Sequence, residues 1–371
     1  MKVGFDIRPA LFNRAGIGRY ARELAGALSK LPEQPFLELF APAWRGGLDI
    51  PKDLEPGRTR LHRGWLPARA MNLVNQLPGL DAGRFPAKID VFHYTDYVYP
   101  EVRHAARVLT LHDAAFAVDP NFHGMNTTTL LNRVRNAISK AHLVIVVSET
   151  GRRDAELMGV DPNKVRVVPN GVNPLFQPGE AKEKDAAPYL LTVGTIEPRK
   201  NHCRTLVALE NLWDKNEAPD WVIAGSPGWE YEDFIARMER SRHRKRIRWV
   251  KEASDHDLLE LYRGAMALLY PSLHEGFGLP VLEAMACQIP VIVGRSTAPA
   301  WVAGKGAMLV DPANIDSIQE GIERILAEDW WRKQAAAVLH LRSKEFTWHG
   351  AAETTFQVYQ EASSLAATPV A

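Results

Sequence analysis

Short apolar runs rich in β-branched residues alternate with helix-period segments along nearly the whole chain, and this alternation restricts the fold more than any other feature. In the first half "KVGFDI", "FLELF", "VLTLHD", "LVIVVSE" and "KVRVVPNGV" read as strands. Between the first two lies "RYARELAGALSKL", where Tyr20, Leu24, Leu28 and Leu31 recur at helical spacing. Ser148 is placed to cap a helix that stops near Gly159. The alternation restarts with "YLLTVG", "WVIAG", "RIRWV", "MALLYPS", "PVIVG" and "AMLVDP", and turns helical from about Asn314 to the end. Ser254 and Asp257 form a capping-box pattern before "LLELY". Strands separated by helices are the pattern of open parallel α/β sheets, whose ligands gather at the carboxyl ends of the strands.

Two such sheets are expected. A chain of 371 residues exceeds one average core. The alternation is also interrupted by "NPLFQPGEAKEKDAAP" (Asn173–Pro188), which is rich in proline and charge as interdomain linkers are. The resulting division is 1–175, 176–348 and a final helix over 349–371. Composition, 46% hydrophobic and 24% charged, is that of a globular protein, and no apolar run approaches the roughly 20 residues that cross a bilayer. Met1-Lys2 leads directly into "VGFDI", unlike a signal peptide, and Cys203 and Cys287 are too few for a disulfide framework or a cysteine zinc cluster, so a cytoplasmic location is expected. The overall charge of +1 divides unevenly: residues 1–176 hold 23 Lys+Arg against 17 Asp+Glu, the remainder 22 against 27. The basic half is ordinary solvated surface or a face toward an anionic partner.

Chemistry concentrates in "HEGFGLPVLEAMA", where Glu275 and Glu283 flank a Gly-x-Gly-x-Pro turn. Glycine and proline resist helix interiors, but proline suits the first helical turn. A helix starting at Pro280 leaves Glu275 on the loop and Glu283 near the end of that turn, with free N–H groups and the positive dipole end between them. Such a start receives phosphate, although an ordinary strand-to-helix connection fits this segment equally well. "TVGTIEPRKNHCRTL" places Arg199 and Lys200 after a strand, as a diphosphate clamp or as a charged turn. "VLTLHDAAF" puts His112 and Asp113 at a strand end, where the histidine is either functional or bonded to a neighbouring carbonyl. Gly16-Ile-Gly18-Arg-Tyr-Ala21 fits the dinucleotide fingerprint, but Arg8–Ala15 separates it from the strand end, and the following strand offers no ribose-binding acid. The basic run Arg242–Arg248 lacks interleaved aromatics, so nucleic acid is not expected and a basic surface patch is. Serine-elbow, HExxH and Walker motifs are absent.

Together, "GTIEPRKN", "SDHDLLELYRGAMALLYPSLHEGFGLPVLEAMACQIPVI", "VDPANIDSI", "LHDAAF" and "VIVVSETGRRDAELMGVDPNKVRVVPNGVNPLF" resemble the retaining glycosyltransferases of family 4, over nearly the whole chain. The resemblance implies an α/β GT-B fold: two Rossmann-like domains facing a central cleft, with a C-terminal helix crossing back to the first. It implies that Glu283 binds the ribose hydroxyls of a nucleotide sugar and that Glu275 lies near the donor sugar. Backbone of Gly276, Phe277, Gly278 and Leu279 would contact sugar and diphosphate, and Arg199 and Lys200 would bind the diphosphate. His112 would touch the donor sugar from the other domain, Gly16 and Ile17 would approach the phosphate through N–H groups, and backbone at Val250 and Lys251 would meet the base. Many relatives carry arginine directly after the strand-end glycine; here Thr195 stands there, and the positive charge is supplied by Arg199.

The activity so implied is metal-independent, cofactor-free transfer with retention. The sugar, with mannose from GDP-mannose as the best assignment, passes to a saccharide or lipid-linked saccharide in surface-polysaccharide synthesis. Peripheral contact with the inner face of the cytoplasmic membrane is a further expectation. A nucleotide-sugar epimerase on the same architecture and a non-catalytic nucleotide-sugar binding protein are the alternatives. Phe346, Trp348, Phe356 and Tyr359 are expected to pack rather than bind ligand.

Overall fold

The computed structural model describes residues 1–12, 16–33, 35–41, 54–63, 88–96, 102, 104–122, 127–180 and 187–367. The middle of the proposed linker, 181–186, lies outside them. The chain forms two compact units: Met1–Ala114, Thr128–Gly171 and Thr347–Ala371 in the first, Ala115–Thr127 and Val172–Phe346 in the second.

The first unit is built on a seven-stranded, wholly parallel sheet. Its strands are β1 (Lys2–Asp6), β2 (Phe36–Ala41), β3 (Thr59–Arg63), β4 (Val91–Tyr94), β5 (Ala106–Leu111), β6 (Leu143–Val146) and β7 (Val165–Val167), in the order β3-β2-β1-β4-β5-β6-β7. Val3 sits opposite both Leu37 and Val91, so β1 is the strand from which the sheet grows in two directions. β3 and β4 have no counterpart in the sequence reading. All four β4 residues are buried, so it shows no apolar–polar alternation. Helix Ile17–Ser29 presents Tyr20, Leu24 and Leu28 to the core as its period requires. Arg8–Phe12, read as loop, forms a five-residue helix. The helix after β6 runs Gly151–Leu157, and Ser148 Oγ accepts the Gly151 N–H at 3.1 Å. Helix Trp348–Ala367 belongs to this unit and packs on helix Ile17–Ser29 and β5.

The second unit holds β8 (Tyr189–Val193), β9 (Asp220–Ala224), β10 (Ile247–Val250), β11 (Ala265–Tyr270), β12 (Val291–Gly294) and β13 (Met308–Val310), all parallel, in the order β10-β9-β8-β11-β12-β13. The order reverses between β8 and β11, and such a switch point opens a crevice at the carboxyl ends of the two strands. Its core gathers Trp213, Trp221, Phe234, Leu209 and Ile322. Both tryptophan N–H groups are satisfied, Trp213 by the Pro219 carbonyl and Trp221 by Thr192 Oγ1, each at 2.9 Å. Ser254 and Asp257 make the capping box in full. The turn between the units separates neighbouring aromatics: Phe346 packs edge-on against Phe277 and Trp301, Trp348 against Tyr20. Phe346, Trp348, Phe356 and Tyr359 are all buried.

Candidate functional site

At the β8/β11 switch the two strands deliver oppositely charged loops. β8 runs through Gly194 and Glu197 into the single turn Pro198–Lys200, which Asn201 closes in the left-handed conformation before helix His202–Asp214. Asn201 Nδ2 donates to the Pro271 and Pro312 carbonyls, at 3.0 and 2.7 Å, and the Leu273 N–H donates to the Arg199 carbonyl at 2.8 Å. These bonds lock the Arg-Lys turn to the loop after β11, which carries Glu275.

The side chains complete the lock. Glu275 Oε1 receives Lys200 Nζ at 2.5 Å and the Tyr270 hydroxyl at 3.0 Å, while Oε2 receives Arg199 Nη1 at 2.8 Å. Arg199 Nε pairs in turn with Glu197 Oε1 at 2.5 Å. Lys200 Nζ is also 2.5 Å from the Tyr270 hydroxyl and lies over its ring. Burial alone would raise the Glu275 carboxyl, but Arg199 and Lys200 outweigh it and hold the group at about 2. Burial, and then the Glu275 charge, raise the Tyr270 phenol well above its ordinary value, so it stays a hydrogen-bond donor. Two cations therefore face two carboxylates. Arg199 is chiefly a strut between Glu197 and Glu275, while Lys200, 10% exposed, has a flexible stem that lets its ammonium be shared with an arriving anion.

The next helix begins at Leu279, with Pro280 in its first turn, one residue before the expected start. Its cap, Gly278, adopts φ +100°, and a Cβ there would lie 2.9 Å from Pro299 Cγ, so glycine is required by backbone and neighbour alike. Glu283, at the fifth position, is buried, and its Oε2 accepts the Tyr262 hydroxyl at 2.8 Å. Glu275 and Glu283 thus stand on the loop and on the helix as the spacing suggested, with Gly276, Phe277, Gly278 and Leu279 connecting them. Val250 ends β10 at the edge of the sheet and Lys251 follows it; the Val250 carbonyl accepts the Gly225 N–H and Lys251 lies over the Trp249 ring.

In the first unit the strand ends carry different chemistry. His112, just after β5, places Nε2 3.0 Å from the Thr95 carbonyl and packs edge-on to Tyr20. The carbonyl bond foreseen as the structural alternative is therefore present. A carbonyl only accepts, so Nε2 carries the hydrogen; burial lowers the ring's pKa, outweighing the Thr95 bond and the nearby Asp113 and Asp96, and Nδ1 keeps its lone pair. Behind it runs a buried chain: Tyr20 hydroxyl to Thr110 Oγ1 (2.9 Å), Thr110 Oγ1 to His93 Nε2 (2.7 Å), His93 Nδ1 to the Tyr359 hydroxyl (2.7 Å). Gly16, at φ +51°, precedes the helix that starts at Ile17. Asp6, the buried last residue of β1, and the part-buried Arg8 just beyond it form a bidentate pair.

Residues 14–175 match the profile described as Glycosyltransferase Family 4, and residues 176–338 that of Glycosyl transferases group 1. The chain belongs to the family 4 glycosyltransferases. Across 97% of this glycosyltransferase and the whole of the relative, it is 28% identical to the O-antigen chain mannosyltransferase B of Escherichia coli. Among solved structures, sucrose-phosphate synthase from Thermosynechococcus elongatus superposes with a TM-score of 0.80 at 19% identity, covering 99% of this chain and all of that one. Anabaena HepE, solved in complex with UDP and glucose, superposes at 0.74 and 14% identity over 97% and 100% of the two chains. The fold of this glycosyltransferase is accordingly GT-B, two Rossmann-like α/β domains.

Three side chains that complete these constellations escaped sequence reading: Glu197, Tyr270 and Tyr262. Each tyrosine sits in an apolar run and reads as core, so only its hydroxyl partner reveals its part. The basic run is also altered by its setting. Arg242 and His243 meet Asp214, Arg244 meets Glu239, and Arg246 meets Asp220, so most of its charge is locally matched. No helix among the described residues is long and apolar enough to cross a membrane.

Proposed function

We propose that this glycosyltransferase transfers mannose from GDP-mannose, with retention and without a metal ion, to a saccharide or lipid-linked saccharide during surface-polysaccharide assembly. The observation that carries the reading is the Lys200–Glu275–Arg199 cluster at the β8/β11 switch, one loop before the glycine-capped helix start at Leu279. The full-length match to an O-antigen chain mannosyltransferase supports the sugar and the setting.

Breaking the anomeric bond of a nucleotide sugar leaves an oxocarbenium-like sugar and a diphosphate whose charge grows. Donors aimed at that diphosphate stabilise the transition state more than the ground state. Lys200 and the helix-start N–H groups supply them, which is the service a metal ion performs in other transferases. Arg199 and the Tyr270 hydroxyl retain Glu275 when Lys200 turns to the phosphate, so the carboxylate stays fixed beside the sugar. Glu283 accepts from the ribose hydroxyls, and in the first unit His112 offers Nδ1 as a hydrogen-bond acceptor. Attack comes from the face the diphosphate leaves, with a phosphate oxygen taking the acceptor's proton.

A thermal-shift screen of nucleotide sugars should single out GDP-mannose, since a ligand bound only by the folded state raises its melting temperature. Transfer to a mannose-containing acceptor should then persist in EDTA and give an α-linked product by NMR. Stabilisation by another nucleotide sugar would replace the donor, loss of activity in EDTA would replace the metal-free mechanism, and turnover of donor alone into an epimer would replace the reaction.

A further inference from the structure

Glu283 is buried in a helix whose other inward residues, Val281, Leu282, Ala284, Met285 and Ala286, are apolar. A carboxylate in such a place costs free energy unless it is hydrogen-bonded, and leucine would pack there without that cost. One side chain that answers this cost is Tyr262. It is fully buried near the end of helix Asp255–Gly264, with its ring edge-on to Phe176, 5.7 Å between centroids, and its hydroxyl 2.8 Å from Glu283 Oε2. A phenol beside a carboxylate must donate, so this bond has one polarity. It also ties the helix that enters β11 to the helix that leaves it, with the Glu275 loop between.

We propose that Tyr262 is a positioning residue for ribose recognition: by holding Oε2, it keeps the Glu283 carboxylate in the rotamer that receives the sugar hydroxyls of the nucleotide. This rests on Glu283 being the ribose ligand. A long, flexible glutamate loses rotamer freedom when it binds, and a buried donor that has already ordered it removes that cost from the binding step. Tyr262 therefore acts on affinity for the nucleoside and leaves the chemistry at the diphosphate unchanged.

The experiment is calorimetric titration of GDP and of 2′,3′-dideoxy-GDP into the wild-type chain, Tyr262→Phe and Glu283→Gln, with steady-state kinetics alongside. Tyr262→Phe removes one oxygen and keeps the ring. We expect it to weaken GDP about tenfold, to leave the dideoxy nucleotide at its wild-type affinity, and to raise donor KM with kcat within about twofold. The ratio of the two dissociation constants does not depend on the fraction of protein that is folded, so it reads the effect even if the variant loses stability. Equal weakening of both nucleotides, or a fall in kcat at constant KM, overturns the role of Tyr262. If Glu283→Gln binds GDP as the wild type does, the ribose reading of Glu283 fails instead. If only Glu283→Gln weakens GDP, that reading stands and the proposal for Tyr262 falls.

Discussion

The two units share one sheet logic but finish their central strands in opposite ways. Around β4 and β5 the polar groups form a neutral chain, Tyr20–Thr110–His93–Tyr359, with His112 held against a carbonyl. After β8 and β11 the groups are ions: Glu197, Arg199, Glu275 and Lys200 alternate in sign and share two tyrosine-assisted contacts. Buried neutral groups need only geometry to be satisfied, whereas buried ions need partners of opposite charge and remain responsive to a newly arriving charge. The ionic end can thus exchange one counter-charge for an arriving anion, and the neutral end holds a ring at a fixed tautomer.

The sharpest way to break this contrast is Lys200→Ala. It should lower kcat by about 10²–10³ while nucleoside monophosphate binding changes little; a loss of less than tenfold would remove the lysine from the diphosphate.

Acid comes next, because the two ends respond in different windows. His93 is pushed down to about 3, first by burial and then by His112, from an ordinary 6.5. Its neutral form is what the fold holds, so its contribution is complete above pH 6.5 and lost as pH falls toward 3. Glu275 is held at about 2 against an ordinary 4.5, so its contribution is complete above 4.5 and lost as pH falls toward 2. Melting curves should therefore show that His93→Gln flattens the upper window and Glu275→Gln the lower. The same flattening in both would erase the distinction. His202, buried and also pushed to about 3, first by burial and then by Lys200, adds to the upper window from the second unit.

Smaller effects test the scaffold. Gly278→Ala should cost about 1–3 kcal/mol, because alanine is strained at φ +100° and its methyl meets Pro299; an unchanged Tm would mean that the turn relaxes freely. Ser254→Ala, which removes half of the capping box, should cost about 1 kcal/mol without altering kcat. A kinetic change there would show that this cap reaches the site.

Much was readable before any tertiary contact was known. Eleven runs read as strands correspond to eleven of the thirteen strands among the described residues, because apolar runs between helical periods have few other places to go. The glycine–proline pattern around Gly278 and Pro280 located a helix start within one residue, since backbone dihedrals are local properties of those residue types. β3 and β4 were not readable; β4 is four residues long and buried on both faces, so it lacks the alternation that marks a strand.

What the sequence determined by itself, then, was the fold class, the strand ends and the residue types available there. What only the tertiary structure decided was which of those residues meet. Arg199 and Lys200 are adjacent in sequence, yet one is braced between two glutamates and the other rests on a tyrosine ring; Glu283 depends on a phenol 21 positions away. The physical reason is range: torsional preference and hydrophobic period act within a few residues, whereas charge pairing and buried hydrogen bonds depend on distances of about 3 Å that only the folded crossovers bring about.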